Sequence, residues 1–237
     1  MALRGNATAV RSALAAGPLH EWASRQPGAQ ALAGRGAAWA VALGSGDAVV
    51  VRHSRHGGAL GSILGDRFVV PTRAPRELAN ALRLARAGVP TPEVVAYAVY
   101  PAMWPLARAD VMTRRVAGVV FPDAWRAAED GTARTEIVQA LATLLLRLRD
   151  AGALHPDLNL RNVLIAGAAR TRRAFVLDVD RVEFGRPGSR SIAARNLARV
   201  VRSARKWKSA WGVDLEDESS TRVLSMTVAG EPAGLRT

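Results

Sequence analysis

No cysteine occurs among the 237 residues of the chain, which excludes disulfide bonds, thiolate metal sites and cysteine nucleophiles. This absence is typical of a chain that folds in a reducing compartment. Long apolar runs are also lacking, because the best candidate for a membrane-spanning helix, residues 94–107, is interrupted by Pro101 and Pro105. Arg4 and Arg11 interrupt the apolar core that a signal peptide would need. We therefore expect a cytoplasmic chain.

Acidic residues are few compared with basic ones: 20 Asp and Glu stand against 33 Lys and Arg, a formal net charge of +13. Such a surface favours phosphate-rich partners. A genome rich in G and C would also increase the arginine content, together with the content of Ala, Gly and Val, which are abundant here. Charge alone therefore does not distinguish a phosphate-rich partner from an effect of genome composition. Apolar residues make up 49% of the chain, enough for one large domain or two small lobes, and this excludes a disordered protein.

The first half of the sequence predicts antiparallel strands. Short apolar runs at 37–43 and 48–53 are separated by the turn sequence GSGD, which is typical of a hairpin. A helix is predicted over 75–88, because this segment begins at a proline and ends at a glycine. Two further strand-like runs complete this half, at 93–99 and 109–115.

After Gly118 the sequence becomes mainly helical. Residues 132–152 repeat apolar side chains every three or four positions, which predicts a helix with one buried face. Two short strands at 162–165 and 174–179 are predicted next, followed by a basic helix at 191–211. The last 20 or so residues, rich in Ser, Glu and Gly, are expected to fray.

Short polar side chains lie between the predicted helix and the next strand, in the segment LHPDLNLRNVLI. Its His155, Asp157 and Asn162 have the spacing H-x-D-L-x-x-x-N of the kinase catalytic loop, and Asp178 follows at the end of the second strand. Phosphoryl transfer needs one carboxylate to accept the hydroxyl proton, while a second carboxylate and an amide oxygen hold the divalent ions on ATP. Asp157 suits the first role, and Asn162 and Asp178 suit the second. Each residue alone is commonly a turn or cap residue, but the joint pattern favours a kinase that uses ATP and Mg²⁺.

A kinase also needs groups that bind the nucleotide, and the first half offers a partial set. Gly34 and Gly36 precede a strand and would let backbone N–H groups approach phosphate oxygens, but the third glycine of a full loop is absent and an ordinary turn is the alternative. Arg52 stands where a kinase has lysine, and its guanidinium can bind a phosphate or pair with Glu77. Two surface charges are the alternative for this pair. Met112, in the last strand of this half, is a further nucleotide-binding candidate.

Four segments together resemble the lipopolysaccharide kinases of Gram-negative bacteria, and most closely the kinases of 3-deoxy-D-manno-octulosonic acid (Kdo). The resemblance spans most of residues 32–208, and it rests on the segments at 49–69, 155–165, 176–181 and 194–208. It implies a fold of the α+β class: a reduced bilobal protein-kinase-like fold, with an antiparallel-sheet N-lobe and a mainly helical C-lobe. The implied reaction is ATP-dependent phosphorylation of Kdo on a lipid A precursor.

The resemblance makes Asp157 the catalytic aspartate, Asn162 and Asp178 the metal ligands, and Arg52 the residue at the nucleotide-clamp position. It also implies a peripheral protein at the cytoplasmic face of the inner membrane. The partners implied are an anionic lipid-linked sugar and the membrane surface, with no nucleic acid.

Three supporting candidates belong to the same loops: His155, Asn159 and Asp180. A serine/threonine protein kinase commonly has lysine at the position of Asn159, so the asparagine points to a sugar acceptor. Asp180 replaces the glycine of a standard D-F-G segment, and it either assists the metal site or pairs with Arg181. The expected organisation is an N-terminal extension, an N-lobe, a C-lobe with both loops and a C-terminal tail, at 1–30, 31–116, 117–212 and 213–237.

Other functions remain open on the sequence alone. A protein kinase is disfavoured because only 59 residues follow Asp178 and no A-P-E segment occurs among them. Kinases of the aminoglycoside or choline type share the loop pattern, but they typically carry longer insertions for their substrates. The non-enzymatic alternative is a basic protein that binds nucleic acid or an anionic membrane through the helix at 191–211. Such a protein would not need Asp157, Asn162 and Asp178 in register.

Overall fold

The structure is a computed structural model that describes residues 4–32, 38–44, 46–54 and 65–229. Gly34 and Gly36 lie outside the described residues. The chain divides into two compact units: unit 1 comprises Met1–Leu82 and Pro92–Arg115, and unit 2 comprises Arg83–Thr91 and Val116–Thr237. The four-part division expected from the sequence stays a prediction.

Unit 1 is built on a six-stranded antiparallel sheet. The order β1-β2-β3-β6-β4 holds five of the strands, and β5 also pairs with β6. The predicted hairpin is present as β2 and β3, which pair from Ala38 with Arg52 to Ala42 with Ala48. The strands are β1 (Gln30–Leu32), β2 (Ala38–Ala42), β3 (Ala48–His53), β4 (Phe68–Val69), β5 (Val94–Pro101) and β6 (Leu106–Arg114).

Helices complete unit 1. The first two are α1 (Ala7–Ala15) and α2 (Leu19–Ser24), which the sequence patterns did not predict. Both pack on the sheet: Val10 of α1 and Leu19 of α2 join Val49, Val51 and Met112 in one buried apolar cluster. The predicted helix at 75–88 is present as α3 (Ala74–Arg86), whose last residues belong to unit 2. The N-terminal segment therefore contributes to the core of unit 1.

Unit 2 is mainly helical, with two small antiparallel sheets of order β10-β9-β7 and β11-β8. Its helix α5 (Gly131–Asp150) begins after Asp130, whose side chain accepts a hydrogen bond from Ala133 N and so caps the helix. The strands are β7 (Gly118–Val120), β8 (Ala153–Leu154), β9 (Val163–Ala166), β10 (Arg173–Val176) and β11 (Glu183–Phe184). The helices are α4 (Phe121–Arg126), α5 (Gly131–Asp150), α6 (Arg190–Trp211) and α7 (Glu218–Ala229).

The C-terminal region corrects the sequence prediction. Residues 218–229 form α7 instead of fraying, because Asp217 accepts a hydrogen bond from Ser220 N at the start of the helix. Leu224 and Thr227 are buried along one side of α7, so the helix is stabilised by packing as well as by its cap. Within the described ranges, no helix combines the length and the apolar character that crossing a membrane requires.

Candidate active site

The segment with the kinase spacing follows β8 in unit 2, and His155 anchors it. The His155 side chain is fully buried, its Nε2 is 3.0 Å from Leu177 O, and its Nδ1 is 3.2 Å from Asp157 N. A carbonyl only accepts and a backbone N–H only donates, so the ring must carry its proton on Nε2 and accept at Nδ1. Burial lowers the pKa of the imidazole below its ordinary value, in agreement with a neutral ring. His155 therefore positions the loop and is not suited to carry a proton in catalysis.

Two residues of α6 hold the same loop from the other side. The buried Asn196 accepts a hydrogen bond from His155 N at 3.0 Å through Oδ1 and donates one to Ala153 O at 2.9 Å through Nδ2. Ser203 Oγ accepts a hydrogen bond from Leu160 N at 3.0 Å. Neither residue was predicted from the sequence. The available signal was their position among the apolar residues on the buried side of a helix that is otherwise rich in arginine.

Asp157 lies at the exposed part of the loop. Its Oδ2 accepts a hydrogen bond of 2.7 Å from Arg181 Nη1, and both side chains remain about half exposed. The backbone carbonyl of Asp157 accepts hydrogen bonds of 2.9 Å from Nδ2 of both Asn159 and Asn162. The two asparagines thus fix the backbone around the carboxylate. The sequence pattern offered Arg181 as a partner for Asp180, and in the structure Arg181 forms an ion pair with Asp157.

Asn162 and Asp178 follow from the pairing of β9 with β10. Val163 is opposite Val176 in this pair, and Leu177 N donates to Asn162 O at 2.9 Å, which brings the residue before Asp178 against Asn162. The strand predicted over 174–179 ends earlier, at Val176, because Asp178 adopts a left-handed conformation with φ of 58°. Asp178 is exposed and begins the 3₁₀ turn Val179–Arg181.

Asn162 and Asp178 carry oxygen atoms of the type that Mg²⁺ binds. Asn162 uses Nδ2 for the Asp157 carbonyl, and within the described part of the chain its Oδ1 accepts no hydrogen bond. An amide oxygen and a carboxylate are ligands that Mg²⁺ prefers, and this ion usually takes few protein ligands beside phosphates and water. No group of three or more His, Cys, Asp and Glu side chains suited to a metal occurs in the described residues. The pair therefore suits a metal shared with a phosphate ligand.

The other supporting candidates have structural positions in the same loops. Asn159 Oδ1 accepts a hydrogen bond from Arg161 N at 3.0 Å and so caps the 3₁₀ turn Leu160–Asn162. Asp180 is buried, with 8% of its surface exposed. Arg161 stacks on α6, with its Cζ 5.3 Å from the ring centroid of Trp207.

Unit 1 contains the predicted pair of Arg52 and Glu77. Arg52 Nη2 on β3 donates to Glu77 Oε1 at the beginning of α3 over 2.5 Å, and the two side chains are 36% and 7% exposed. A buried carboxylate needs such a cation, because the loss of hydration would otherwise be uncompensated. The contact predicted from the sequence is confirmed, while the binding of a nucleotide by Arg52 and Glu77 stays a prediction.

Met112 occupies a different environment from the other nucleotide-binding candidates. It is fully buried on β6, opposite Val51 of β3 and Ala96 of β5, within the apolar cluster of unit 1. Its side chain therefore has a packing role, and its participation in nucleotide binding stays a prediction.

Comparisons with known proteins find relatives that match most of the chain. Three relatives are named 3-deoxy-D-manno-octulosonic acid kinase. The relative from Actinobacillus succinogenes is 29% identical over 76% of this chain and 76% of its own length. That from Xylella fastidiosa is 29% identical over 76% of this chain and 71% of its own length. That from Vibrio parahaemolyticus is 27% identical over 78% of this chain and 76% of its own length.

A solved structure shows the same fold. It is described as WaaP in complex with acyl carrier protein, and it superposes with a TM-score of 0.57 at 20% identity, over 90% of this chain and 83% of that chain. The α+β, protein-kinase-like fold predicted from the sequence is thereby confirmed. Residues 20–218 match the model of the lipopolysaccharide kinase (Kdo/WaaP) family, and the chain therefore belongs to this family of phosphotransferases, as the resemblance predicted.

Proposed function

We propose that the protein transfers the γ-phosphoryl group of ATP to a hydroxyl of a Kdo residue in the inner core of lipopolysaccharide, on a Kdo-lipid A precursor. The observation that carries the proposal is a pair of hydrogen bonds: Asn162 Nδ2 donates to Asp157 O, and Leu177 N, next to Asp178, donates to Asn162 O. These bonds link the two segments that carry Asp157, Asn162 and Asp178. The shared name of the relatives, Kdo kinase, supports the acceptor sugar. A nucleic-acid or membrane binder would have no use for these three residues in this arrangement.

In the proposed reaction, the oxygen of the acceptor hydroxyl attacks the γ-phosphorus of ATP, and Asp157 accepts the proton of that hydroxyl. The bond between that phosphorus and the β,γ-bridging oxygen breaks, and its electron pair leaves with ADP. The exposed position of the carboxylate lets a sugar hydroxyl reach it, while its backbone is fixed by Asn159 and Asn162. A rigid loop favours catalysis because a correctly placed base needs no reorganisation in the transition state.

Asn162 Oδ1 and the Asp178 carboxylate are the proposed ligands of Mg²⁺, which when bound would neutralise charge on the ATP phosphates. The left-handed backbone at Asp178 supports this role, since non-glycine residues in that conformation are common at functional sites. Asn162 Nδ2 donates a hydrogen bond to the backbone carbonyl of Asp157, and this bond fixes the direction of Asn162 Oδ1.

Arg52 is the proposed phosphate-binding residue of unit 1, with Glu77 as the carboxylate that orients it. The guanidinium is planar and has five N–H donors, so an arginine that pairs with a carboxylate still has donors that can bind a phosphate. Its partial exposure, 36% of the side chain, supports access for a ligand.

The acceptor itself is anionic and linked to lipid, which suits a chain with a formal net charge of +13. Arg181 is a cation directly beside the proposed base, and it supports an acceptor that carries a carboxylate or phosphate near the reacting hydroxyl. A lipid-linked acceptor would be met at a membrane surface, so we propose peripheral association with the cytoplasmic face of the inner membrane.

The test is incubation of the purified protein with ATP, Mg²⁺ and detergent-dispersed Kdo-lipid A precursor, followed by mass spectrometry. We expect the gain of one phosphate on the precursor and none on the same precursor lacking Kdo. Asp157→Asn, which keeps the shape of the side chain but not the base, should reduce the rate by about two to four orders of magnitude. No gain of phosphate, together with turnover on another hydroxyl compound, would reject the acceptor. A fully active Asp157→Asn variant would reject the assigned base.

A further inference from the structure

The hairpin between β5 and β6 exposes large apolar side chains. Trp104 is 84% exposed and Met103 is 75% exposed at the turn, and Val69, at the end of β4, is 62% exposed. Val70 is exposed next to it. These four residues, Val69, Val70, Met103 and Trp104, form what we call the apolar tip. The proposed catalytic and nucleotide-binding roles use none of them.

Backbone hydrogen bonds make the apolar tip one continuous surface. Val69 pairs with Leu106 across the sheet, and Val70 N donates to Pro105 O at 3.1 Å. The turn itself is closed by Leu106 N donating to Met103 O at 2.8 Å and by Ala102 N donating to Leu106 O at 3.0 Å. Three exposed prolines extend the apolar surface: Pro71, Pro101 and Pro105.

Exposed arginines surround the base of the apolar tip. Arg67 precedes Phe68 and Arg108 follows Ala107, and Phe68 and Ala107 are opposite each other on β4 and β6. Arg73 is also exposed and places its Cζ 5.5 Å from the centroid of the Phe68 ring. Two residues along a strand span about 7 Å, so Arg108 lies roughly this far below Leu106. The segments 67–76 and 94–109 contain no acidic residue, and the carboxylate next to this surface is Asp66, whose Oδ2 lies 3.8 Å from Arg108 Nη1.

We propose that the apolar tip inserts into the interfacial layer of an anionic lipid bilayer, with Arg67, Arg73 and Arg108 at the level of the lipid phosphates. Tryptophan is favoured at membrane interfaces, and arginines near the surface are attracted to anionic lipids. Interfacial insertion reaches about 5–10 Å into the boundary between headgroups and acyl chains, which matches the separation between the turn and the arginines. The proposal rests on the membrane association proposed above, and it adds the surface that makes the contact.

A bilayer fits this surface better than a protein partner or a second copy of the chain. A stable protein interface buries about 800 Å² on each partner, with roughly 20 to 30 residues, whereas the apolar tip has four apolar side chains, from one turn and the adjacent end of β4. Interfacial membrane binding needs only a few such side chains when cations surround them, because the electrostatic attraction adds to the apolar transfer.

The test measures how the whole protein partitions between solution and sucrose-loaded vesicles, of phosphatidylcholine alone or mixed with phosphatidylglycerol. We expect binding to the anionic vesicles, reduced about tenfold or more in Trp104→Ala. Replacement of Arg67 or Arg73 by Gln should reduce binding about fivefold each, and added salt should weaken the binding of the unchanged protein. Val119→Ala and Arg222→Gln, which alter exposed residues of unit 2, are matched controls that should bind like the unchanged protein.

Three outcomes would overturn the proposal: equal vesicle binding by Trp104→Ala and the unchanged protein, no binding of the unchanged protein to anionic vesicles, or a dimer that Trp104→Ala abolishes in place of vesicle binding. Kinase activity on the detergent-dispersed acceptor is measured on the same samples. Activity that persists while vesicle binding is absent rejects the membrane surface and leaves the kinase function standing. Vesicle binding that depends on Trp104, without kinase activity, rejects the kinase function and leaves the membrane surface standing.

Discussion

Arg181 donates a hydrogen bond from Nη1 to Oδ2 of Asp157 over 2.7 Å, so the carboxylate proposed as the base is already paired with a cation. Both side chains are about half exposed, and ion pairs of this kind contribute little to stability. An acceptor with its own carboxylate or phosphate can therefore compete for Arg181 at small cost. Such competition would release Asp157 when the acceptor is bound.

Replacement of Arg181 by Gln is expected to raise the KM for an anionic acceptor about fivefold to tenfold, because one exposed charge-assisted contact is lost. The KM for ATP should change little. Arg181→Lys, which keeps the charge, should restore part of the acceptor affinity. The measurement is steady-state kinetics with each substrate varied in turn. An unchanged KM for the acceptor in Arg181→Gln would show that Arg181 does not bind it.

Asn196 is expected to be required for the geometry of the catalytic loop. Replacement by Ala leaves His155 N and Ala153 O buried without their partner, which should lower the free energy of unfolding by about 1–3 kcal/mol. The same change should reduce kcat on the order of tenfold to a hundredfold, because small displacements of a catalytic group are costly. Denaturant unfolding and kinetics measure the two effects.

The matched control for Asn196 is Arg195→Ala, an exposed neighbour on the same helix, which should change neither quantity much. A large loss of stability with full kcat in Asn196→Ala would assign this residue a purely structural role.

Arg52 and Glu77 offer a test of nucleotide binding. Arg52→Ala should lower the free energy of unfolding by about 1–2 kcal/mol, less than for a fully buried pair because 36% of the Arg52 side chain is exposed. It should also raise the KM for ATP, whereas Arg52→Lys should give an intermediate value because it keeps the charge but not the planar fork.

The control for Arg52 is Arg114→Gln. Arg114 lies on β6 of the same sheet and pairs with Asp47 and Glu93, at the surface. This change should leave the KM for ATP unaltered. If Arg52→Ala changed stability but not the KM for ATP, Arg52 would be an element of the fold alone.

His53 should make the stability of unit 1 depend on pH. Its Nδ1 is 2.6 Å from Asp110 Oδ1 and its Nε2 is 3.0 Å from Asp66 Oδ2, and the His20 ring centroid lies 5.5 Å from that of His53. The hydrogen bond with the buried Asp110 is the main cause that raises the pKa of His53, against the opposing effect of burial. A raised pKa means that the stabilisation is fully present below about pH 6.5 and is lost as the pH rises through the folded-state value.

The measurement is the free energy of unfolding of the unchanged protein and of His53→Gln at about pH 5.5 and pH 8.5. The free energy of unfolding of the unchanged protein should exceed that of His53→Gln by more at the lower pH. Burial lowers the pKa of His155, so this residue changes the free energy of unfolding with pH in the opposite direction. Because both proteins contain His155, its contribution cancels when their free energies of unfolding are subtracted. Equal differences at the two pH values would contradict the prediction.

The sequence by itself determined the elements that rest on local spacing. Short segments were sufficient to predict three elements. Turn residues indicated the hairpin of β2 and β3, helical periodicity indicated α5, and a fixed motif spacing indicated the loop with Asp157 and Asn162. The pair of Arg52 and Glu77 was also predictable, because the kinase pattern assigns a cation on a strand and an acid on the next helix.

The tertiary structure alone decided the contacts between segments that are distant along the chain. Asn196 and Ser203 bind a loop about 40 residues earlier, and Arg181 reaches back to Asp157. Local spacing does not encode such partners, because the sequence around a buried asparagine does not indicate which distant backbone group it will hydrogen-bond. The C-terminal segment was predicted wrongly for the same reason: its composition is polar, but α7 is stabilised by a cap and by packing, which only the fold provides.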